Sequence, residues 1–564
     1  MLKDYIAKIL YRSVPIPEHR IKGILEIPPN DQLGDIAFPC FTLAKEWRKS
    51  PNAIARELAE NICIPNIEVK AAGPYLNFFF DKGIYGKEIL TKVYSQDFLN
   101  INVGKGQRII IDMSSPNIAK PFGIGHLRST MIGNALYHLY KKVGYEPIRV
   151  NHLGDWGTQF GKQMAAYKRW GNPALIQQDP IRQFFKLYVK FHEEAERNPE
   201  LEEEARNWFA KLEKGDKEAH ELWNYFVKES LKEFKKMYEK LGVEFEYYLG
   251  ESFYNDKMEA VVRELTDKGL LEESDGAQVV RLDEEGMPPC IILKSDGTTI
   301  YATRDLATAL YRHDHLKGDR LVYVVGGEQS LHFSQVFSVL KKMGHSWAKD
   351  CEHVPFGLMR LEGKKMSTRK GRIVTLEEVL NEALEKAKEM IEAKTPNLQN
   401  KEEVAQAIGI GAIIFGDLKH NRISEVNFSL EEALNFEGDT GPYVQYTYAR
   451  IQSIKENSKL QEHEIEDTVS INERYLNQKE TWGLLKEMVQ YPFILERASI
   501  QNEPSVLARY LLDLCKHFNK FYQQNRILVE NEEEMKTKLM AAQAVGKIIQ
   551  DGLTILGLKV LNKI

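Results

Sequence analysis

The clearest pattern of apolar and polar positions lies in the second hundred residues of the chain. Residues 108–113, RIIIDM, form a continuous β-branched run, which is typical of a strand buried on both faces of a sheet. After a loop rich in Gly, Pro, Ser and Asn at 114–125, residues 127–143 carry an apolar side chain at every fourth position and predict a helix that ends at Gly144. Residues 146–154 return to a strand pattern. This β–loop–α–β order predicts a parallel, doubly wound sheet that binds its ligand at the carboxyl ends of its strands.

A second α/β half follows, and a charged segment separates it from the first. Its strand patterns lie at residues 277–282, 290–297, 299–305 and 320–327. The run RLVYVVGG at 320–327 is the strongest of them, and a helical pattern follows it at 335–345. Residues 177–242, between the two halves, are heavily charged with helical spacing, which predicts an insertion of solvated helices.

Both ends of the chain have patterns of their own. Residues 1–104 predict a small α/β domain, and helical patterns run from residue 373 to the C-terminus. One helical stripe, for which core packing is the expected role, consists of Leu507, Tyr510, Leu511, Leu514, Phe518 and Phe521. The predicted domains are 1–104, an α/β domain at 105–375 with an insertion at about 177–290, a helical connection at 376–435 and a helical domain at 436–564.

Composition indicates a folded, multidomain protein without a strong charge bias. The chain has 564 residues, of which 43% are hydrophobic and 28% are charged, a length typical of about three to four domains. Its 76 Lys and Arg and 81 Asp and Glu give a net charge of −5. A globally basic nucleic-acid coat is therefore excluded, whereas a local basic groove is not.

Cysteines and apolar segments point to the cytoplasm. The 5 cysteines are far apart and include no C-x-x-C pair, so we expect reduced thiols rather than a disulfide framework or a structural zinc site. The first residues lack the apolar core of a signal peptide. The most apolar stretch, residues 407–416, is about half the length that spans a bilayer. These features predict a soluble cytoplasmic protein with no membrane segment.

The segment from Pro116 to His126 is the first candidate for chemistry. It lies between the predicted buried strand and helix, where glycines let the backbone approach a ligand and the helix N-terminus offers N–H groups to an anion. Lys120 in the loop and His126 at the helix terminus can both donate to phosphate. A glycine-rich turn with a helix-capping histidine is the alternative interpretation. The segment is not a P-loop, because the spacing of that motif is absent.

Residues 364–371, KKMSTRKG, are the second candidate. Basic residues separated by small ones suit a polyphosphate leaving group, because positive charge is needed there in the transition state. Taken alone, a segment of this kind is more often a solvated loop.

Together these segments resemble the signatures of class I aminoacyl-tRNA synthetases, with GIGH at 123–126 for HIGH and KMSTR at 365–369 for KMSKS. Further blocks resemble the arginyl-tRNA synthetase family: residues 33–45, 71–80, 112–130, 152–161, 301–307, 324–333 and 439–451. With the helical C-terminal end, the resemblance covers essentially the whole chain. The resemblance implies a Rossmann-like parallel-sheet catalytic domain with a helical insertion. It also implies a small α/β N-terminal domain that contacts tRNA and an all-α C-terminal domain that binds the anticodon.

Two positions depart from the class I signatures. Gly123 stands where HIGH has its first histidine, and Thr368 stands where KMSKS has its second lysine. In the arginyl family a lysine upstream of HIGH is thought to substitute for that missing lysine, and Lys120 matches it. The resemblance therefore implies a catalytic set of Lys120, His126 and Lys365. The ATP-binding residues that it implies are Gly123, Gly125, His126, Lys365 and Ser367.

The resemblance also implies a pocket for the planar, cationic side chain of arginine, which carboxylates and neutral acceptors suit. The residues implied are Asp112, Tyr301 and Asp305 for the guanidinium, and Ser115, Asn117 and Gln329 for the amino and carboxylate end. For Tyr301 and Asp305 the alternatives are a strand-end aromatic and a helix N-cap. His152 and His332 are assigned only to the neighbourhood of the pocket.

A pair of histidines, His313 and His315, suggests a metal site at first sight. No third ligand at useful spacing accompanies the pair, so a solvated turn is expected and no metal site is predicted.

The activity that the resemblance implies is that of an arginine–tRNA ligase. L-Arginine would be activated by ATP, with Mg²⁺ accompanying the nucleotide, and transferred to the 3′ end of tRNA(Arg) with release of AMP and pyrophosphate. Another class I synthetase and a non-catalytic tRNA-binding paralogue are the alternatives. A monomer is the expected state, because it is usual in the family.

Overall fold

The computed structural model of the chain describes residues 2–361 and 375–564. The described residues group into two compact units. The first comprises Met1–Leu99, Ile451–Pro492 and Asp513–Ile548, and the second comprises Asn100–Arg450, Phe493–Leu512 and Ile549–Ile564. Every candidate site residue that the structure describes lies in the second unit.

The strands are, in chain order, β1 (Ile36–Pro39), β2 (Ile67–Ala72), β3 (Tyr75–Phe80), β4 (Arg108–Asp112), β5 (Glu146–Asn151), β6 (Tyr247–Tyr248), β7 (Glu272–Ser274), β8 (Ala277–Val280), β9 (Cys290–Leu293), β10 (Arg320–Gly326), β11 (Cys351–Phe356), β12 (Met359–Leu361) and β13 (Val426–Phe428).

The helices are α1 (Leu2–Leu10), α2 (Glu18–Ile24), α3 (Ala44–Trp47), α4 (Pro51–Asn61), α5 (Lys82–Val93), α6 (Ile124–Lys142), α7 (Thr158–Trp170), α8 (Pro173–Gln178), α9 (Pro180–Ala195), α10 (Glu200–Glu213), α11 (Lys217–Leu241), α12 (Met258–Asp267), α13 (Tyr301–Asp314), α14 (Ser330–Lys342), α15 (Leu376–Lys394), α16 (Lys401–Leu418), α17 (Leu430–Ala433), α18 (Gly441–Ser458), α19 (Glu462–Ile465), α20 (Lys479–Met488), α21 (Tyr491–Ile500), α22 (Pro504–Gln524) and α23 (Glu532–Ile555).

The second unit is built on a parallel sheet with the strand order β11–β10–β4–β5–β6. In its centre, Ile110 of β4 pairs with Leu321 of β10 on one side and Ile148 of β5 on the other. The isoleucines at 109–111 are at most 1% exposed, as expected for a strand covered on both faces. The predicted parallel sheet is confirmed. Because its strands are parallel, the carboxyl ends of β4, β5 and β10 meet at one edge.

Helix α6 returns the chain from β4 to β5. Its predicted core stripe is confirmed, because each of these residues is at most 1% exposed: Leu127, Met131, Ala135, Leu139 and Val143. The helix ends at Lys142, and Gly144 follows with a φ of +90°, a conformation that favours glycine. The β–α–β unit read from the sequence is therefore present.

The insertion between β5 and β10 differs from its prediction as a set of solvated helices. Helices α9 and α11 each keep one apolar face, on which Phe184, Phe191 and Phe226 are fully buried. The predicted helical insertion is present, but its helices are amphipathic and not wholly solvated, because a high charge count hides apolar side chains at helical spacing. After α11 the chain adds β6 to the edge of the parallel sheet and then forms an antiparallel sheet in the order β7–β8–β9.

The strand predicted at residues 299–305 is wrong, because the residues from Tyr301 onward form α13. Of the β-branched residues that begin this segment, Thr299 forms an isolated antiparallel bridge with Leu293. Strand β9 has already ended at Leu293, and a tight turn separates the two residues. Helix α13 has Ile300 at its N-cap, and Asp305 lies more than one turn inside it. The alternative interpretation of Asp305 as a helix N-cap is therefore excluded.

The first unit contains a small antiparallel sheet in the order β1–β3–β2, with α4 packed against it. Helix α4 begins at Pro51, the predicted boundary, and the Ser50 side chain accepts a hydrogen bond from a backbone N–H of its first turn. In the same unit, Asp35 accepts hydrogen bonds from Trp482 Nε1 at 2.6 Å and Lys486 Nζ at 2.9 Å. These contacts tie the residues before β1 to α20.

The described residues from Gly441 onward fold into the helices α18–α23. The predicted stripe on α22 is confirmed as core, with each side chain at most 4% exposed: Leu507, Tyr510, Leu511, Leu514, Phe518 and Phe521. Across the described ranges, no helix combines the length and the apolar character that crossing a bilayer requires.

A buried ion pair joins α6 to α16 in the second unit. Arg128 Nε donates to Asp417 Oδ1 at 2.9 Å, and the two side chains are 1% and 2% exposed. Arg128 Nη1 also donates to the backbone oxygens of Gly357 and Ser424. Burial raises the pKa of Asp417 to about 6, although the adjacent guanidinium opposes this shift. Each charge therefore depends on its partner.

We expect Arg128→Leu to lower the free energy of unfolding by about 3–5 kcal/mol, because it leaves a buried carboxylate without its cation. Lys142→Met is a matched control: its pair with Asp551 is 2.7 Å long, and the side chains are 21% and 22% exposed, so its loss should cost at most about 1 kcal/mol. Urea unfolding followed by circular dichroism measures both variants. Equal losses would contradict the importance of the buried pair.

Candidate active site

The loop that follows β4 has an unusual backbone. Ser114, Ser115 and Ala119 have φ angles of +73°, +50° and +62°, in the left-handed region that costs a residue with a side chain about 1–2 kcal/mol. So many disfavoured residues in a short segment persist only where neighbouring structure holds them. The loop therefore has a defined conformation that neighbouring structure maintains.

Hydroxyl groups of α6 hold the start of this loop. Ser129 Oγ accepts the backbone N–H of Ser114 at 2.9 Å and donates to the carbonyl of Val324 in β10 at 2.7 Å. Thr130 Oγ1 lies 2.8 Å from Ser114 Oγ. One pair of adjacent side chains on α6 thus ties the end of β4 to β10.

Side chains of the insertion helix α11 hold the same loop from the other side. The Tyr238 hydroxyl lies 2.7 Å from Ser114 Oγ and accepts a hydrogen bond from Asn151 Nδ2 at 2.9 Å. Ser230 Oγ accepts the backbone N–H of Ala119 at 3.0 Å. The shape of the loop therefore depends on the docking of the insertion.

Asn117 lies beside the residues that follow β5. Ile118 N–H donates to the Gly154 carbonyl, and Gly154 N–H donates to the Pro116 carbonyl, both at 3.1 Å. A Cβ atom on Gly154 would lie 2.4 Å from Asn117 Oδ1. Glycine at 154 is needed for this close approach, which sets the position of the Asn117 side chain.

His126 lies in the first turn of α6, as predicted. Its Nδ1 accepts the backbone N–H of Gly123 at 3.1 Å. Burial, and then the nearby positive charge of Lys120, lower the pKa of His126 to about 4. At neutral pH the ring is therefore uncharged, and because Nδ1 is an acceptor, Nε2 carries the proton. His126 thus offers one neutral N–H donor.

The glycines before His126 leave open space. A Cβ atom on Gly125 would meet nothing within 4 Å, and one on Gly123 would meet only His126 Nδ1, at 3.9 Å. Packing of the described residues does not require glycine at either position. The first turn of α6 therefore presents N–H groups to a space in which a ligand can come close to the backbone.

Lys120 lies in the same loop and is partly buried. Its Nζ is 5.1 Å from the centre of the Tyr188 ring on α9. Burial lowers the pKa of Lys120. Its charge also contributes to the low pKa of His126, so the two candidate phosphate ligands interact electrostatically.

Asp112, the last residue of β4, forms a buried ion pair with Arg312 of α13. Asp112 Oδ2 lies 2.7 Å from Arg312 Nη1, and the side chains are 7% and 1% exposed. Burial opposes the charge of Arg312, but the adjacent carboxylate raises its pKa overall. Ser115 Oγ donates to the other oxygen of Asp112 at 3.0 Å. The charge of Asp112 is therefore matched inside the protein.

Asp305 has a different partner. Its Oδ2 lies 2.5 Å from His332 Nε2, and the two side chains are 24% and 27% exposed. Tyr301, at the start of the same helix, is 62% exposed. Gln329 is also exposed, in a short 3-10 helix after β10. This side of the site is thus more accessible than the Asp112 side.

His152 directly follows the end of β5. Burial lowers the pKa of His152, while the charges of Asp112 and Asp305 oppose that shift. Lys365 and Ser367 lie outside the described residues.

Several residues of the site have no signal in the sequence. Arg312, Ser230, Tyr238 and Tyr188 act through partners that lie far away in the chain, so no local spacing marks them. His332 falls inside the resemblance blocks, but the sequence did not reveal its contact with Asp305.

His313, in α13, and His315, at its C-cap, each stack on an aromatic ring. The ring of His313 stacks on Trp347 with centroids 4.3 Å apart, and the ring of His315 stacks on Tyr311 at 4.7 Å. Across residues 2–361 and 375–564, no group of three or more His, Cys, Asp or Glu side chains is arranged to hold a metal ion.

Family models match the chain in successive segments. The model described as "tRNA synthetases class I (R), catalytic domain" matches residues 89–430. "Arginyl tRNA synthetase N terminal domain" matches residues 1–80, and "DALR anticodon binding domain" matches residues 444–564.

Relatives match over the full length. The chain is 52% identical over 547 residues to Arginine--tRNA ligase 1 of Bacillus cereus, covering 96% of each. It is 48% identical over 566 residues to Arginine--tRNA ligase of Alkaliphilus metalliredigens, covering 100% of this chain and 99% of the relative. Among solved structures, arginyl-tRNA synthetase of Thermus thermophilus has a TM-score of 0.82 at 25% identity, and that of Plasmodium falciparum has a TM-score of 0.80 at 26% identity. Each structural match covers 100% of this chain and 99% of the other.

The low pKa of His126 predicts a loss of stability in acid. Because its folded-state pKa of about 4 lies below the usual value of about 6.5, the unfolded chain takes up a proton first as the pH falls. Stability from this group is therefore lost between about pH 6.5 and pH 4.

We expect the free energy of unfolding to fall more steeply in the unmodified protein than in His126→Gln, by up to about 1.4 kcal/mol per pH unit. Urea unfolding at a series of pH values measures the difference. His463→Gln, which removes an exposed histidine, serves as the control. Parallel pH dependences of the unmodified protein and His126→Gln would contradict the low pKa of His126.

Proposed function

Since this chain belongs to the arginyl-tRNA synthetase family, we propose that the groups at the carboxyl ends of β4, β5 and β10 carry out its arginine–tRNA ligase reaction. Arginine is activated with ATP and passed to the 3′ end of tRNA(Arg). The observation that carries the residue assignment is the division of the site. One side, at the N-terminus of α6, has N–H donors and a lysine cation, and the other side has accessible carboxylate and amide groups. An anionic nucleotide suits the first side and a cationic amino acid suits the second.

The phosphate side supports the first step. In that step the arginine carboxylate attacks the α-phosphate of ATP in line, and pyrophosphate leaves. Catalysis of such a transfer consists mainly of positioning and stabilisation of phosphate charge. The backbone N–H groups around Gly123 and Gly125, the neutral Nε2–H of His126 and the ammonium of Lys120 supply donors for this purpose. Mg²⁺ would accompany ATP and would add positive charge at the phosphates.

The loop of the KMSKS type adds further proposed phosphate ligands. By family resemblance, Lys365 stabilises the leaving pyrophosphate and Ser367 binds ATP. Both lie outside the described residues, so their assignment rests on the resemblance alone. Thr368 supplies no cation, which gives Lys120 its proposed role as the substitute.

On the arginine side, the contacts favour Asp305 over Asp112 as the partner of the substrate guanidinium. Asp112 is paired with the guanidinium of Arg312 at 2.7 Å, which carries its charge at every physiological pH. Asp305 is paired with His332, and an imidazole is a cation only when protonated. The exposed ring of Tyr301 supplies a flat wall beside Asp305. Asp112 is then left to orient Ser115.

Neutral groups are proposed for the other end of arginine. Ser115, Asn117 and Gln329 supply hydroxyl and amide groups for the amino and carboxylate end. Asn117 is supported by the close contact that its side chain makes with Gly154, because a side chain so confined loses little further freedom on binding.

The second step, in which a ribose hydroxyl of tRNA attacks the adenylate, requires contacts away from the sheet. By family resemblance, residues 1–104 contact the tRNA elbow, residues 436–564 bind the anticodon, and the first transfer is to the 2′ hydroxyl. From Phe436 onward the chain has 16 Lys and Arg against 18 Asp and Glu. Binding of tRNA there must use locally sorted charge and shape. A monomer remains the expected state.

Pyrophosphate exchange tests this function against its alternatives. The full chain is given ATP, labelled pyrophosphate and each amino acid in turn, with and without total tRNA. We expect exchange with arginine only, and only when tRNA is present, as family members often require. Exchange with a different amino acid supports another class I synthetase, and no exchange with any amino acid supports a non-catalytic paralogue. Exchange at full rate with arginine in the absence of tRNA contradicts the tRNA requirement.

Lys120→Ala tests the proposed substitute cation. We expect adenylate formation to fall on the order of 100- to 1000-fold, because one donor to the reacting phosphates is lost. Arginine binding, measured by calorimetry, should persist.

Lys162→Ala is the matched control for this variant. Lys162 Nζ also lies over an aromatic ring, at 5.7 Å from the centre of Phe191, but it pairs with Glu202 at 2.7 Å. This control should retain normal exchange. Near-normal turnover in Lys120→Ala would contradict the assignment of Lys120 as the substitute cation.

A further inference from the structure

The helical insertion supplies an aromatic face on which Lys120 lies. The distance of 5.1 Å from Lys120 Nζ to the centre of the Tyr188 ring is within the range of about 6 Å over which a ring attracts a cation. Tyr188 is itself held on α9, because its ring packs edge-on against His192 with centroids 4.6 Å apart. The insertion therefore holds this aromatic face in a defined position.

The cleft around Lys120 is lined by uncharged groups. They are Ile118, Ala119, Gln159, Phe160, Gln163 and Tyr188. None of these side chains carries a carboxylate, and it is burial that lowers the pKa of Lys120. Lysines of helix α7 differ: Lys162 and Lys168 pair with Glu202 and Glu218 at 2.7 and 2.6 Å.

This difference matters for a cation that must act on phosphate. A carboxylate partner would neutralise the ammonium, and the phosphate would have to displace that partner before it could use the charge. An aromatic face attracts the ammonium and restricts its flexible stem without carrying an opposite net charge.

We propose that Tyr188 is a positioning residue for catalysis: its ring holds the Lys120 ammonium in the cleft beside the α6 N-terminus with its charge available to the phosphates of ATP. The inference rests on the proposed role of Lys120. It assigns to the insertion a part in the first chemical step.

The pH dependence of the reaction reports on this contact. Lys120 contacts the ring of Tyr188 on α9, and its charge also acts on His126 of α6 and His192 of α9. Burial lowers the pKa of both histidines, to about 4 for His126, so neither gains or loses a proton in the alkaline range. Loss of the ring would destabilise the ammonium and move the alkaline limb of the rate profile to lower pH.

The experiment compares Tyr188→Leu with Tyr188→Phe in the full chain, by pyrophosphate exchange with arginine and tRNA across a pH series. For Tyr188→Leu we expect kcat to fall roughly threefold to thirtyfold, with the KM for arginine unchanged. Its alkaline limb should shift to lower pH by about 0.5 to 1.5 units. Tyr188→Phe, which keeps the ring face, should remain within about twofold of the unmodified enzyme.

Two further variants separate positioning from general damage. Trp170→Leu removes another aromatic face near the insertion, one that lies 4.8 Å from Lys190 Nζ, and it should leave kcat and the pH profile unchanged. Tyr188→Leu combined with Lys120→Ala should be no slower than Lys120→Ala alone, because the ring acts through the lysine.

The outcomes distinguish this inference from the assignment on which it rests. If Lys120→Ala is inactive but Tyr188→Leu has an unchanged kcat and pH profile, the inference fails and the role of Lys120 stands. An additional loss from Tyr188→Leu in the Lys120→Ala background would also overturn it, because the ring would then act by another route. If Lys120→Ala is itself near normal, the assignment of Lys120 fails and the inference fails with it.

Discussion

The left-handed turn after β4 is the constraint on which the rest of the site depends. Ser114, Ser115 and Ala119 each adopt a conformation that costs an ordinary residue about 1–2 kcal/mol, so an isolated chain would not keep this shape. Hydrogen bonds to α6 and α11 offset the cost, each with a net contribution of about 0.5–1.5 kcal/mol. Because those bonds come from two separate elements, the docking of both helices stabilises the turn. The positions of Lys120 and of the α6 N-terminus follow from that turn, and the site is therefore assembled by the fold as a whole.

The dependence of the turn on α11 explains why the insertion packs against the loop after β4. A helical segment between two strands of a parallel sheet needs only to reach the next strand, but here α9 and α11 turn polar and aromatic side chains towards the loop. Ser230 and Tyr238 bind its backbone and first hydroxyl, and Tyr188 meets its lysine. The buried phenylalanines of the same helices explain how they can do so, since a face that packs on its own core is held still. One amphipathic helix can thus have a charged face exposed to solvent and an inner face whose side chains are held in fixed positions.

Local signals decided how much the sequence could predict. The isoleucines of β4, the four-residue spacing of α6 and the strand β10 could be read because each pattern lies within one element. The Asp112–Arg312 pair could not be read, because its partners are far apart in the chain and neither is unusual alone. The start of α13 was misread because the β-branched residues before Tyr301 resemble a strand, whereas the preceding turn had already ended it. A sequence motif identified His126 and Lys120 as candidates. Their protonation states and contacts depend on burial in the folded protein, which a sequence pattern does not show.

Charge shows why the balance of the whole chain was a poor guide to its ligands. A net charge of −5 counts every lysine equally, including those already matched by a glutamate. What a phosphate can use is a cation without a matching carboxylate, and Lys120 lies in a cleft of uncharged groups. The same reasoning applies with opposite sign to arginine: Asp112 is matched by a permanent cation, whereas Asp305 is matched by an imidazole. Because ATP and arginine carry opposite charges, they would otherwise attract each other in any orientation. In the proposed arrangement, the available cation at one side and the available carboxylate at the other would direct the guanidinium away from the phosphates. The arginine carboxylate would then be the group that faces the α-phosphate, which is the orientation that activation requires.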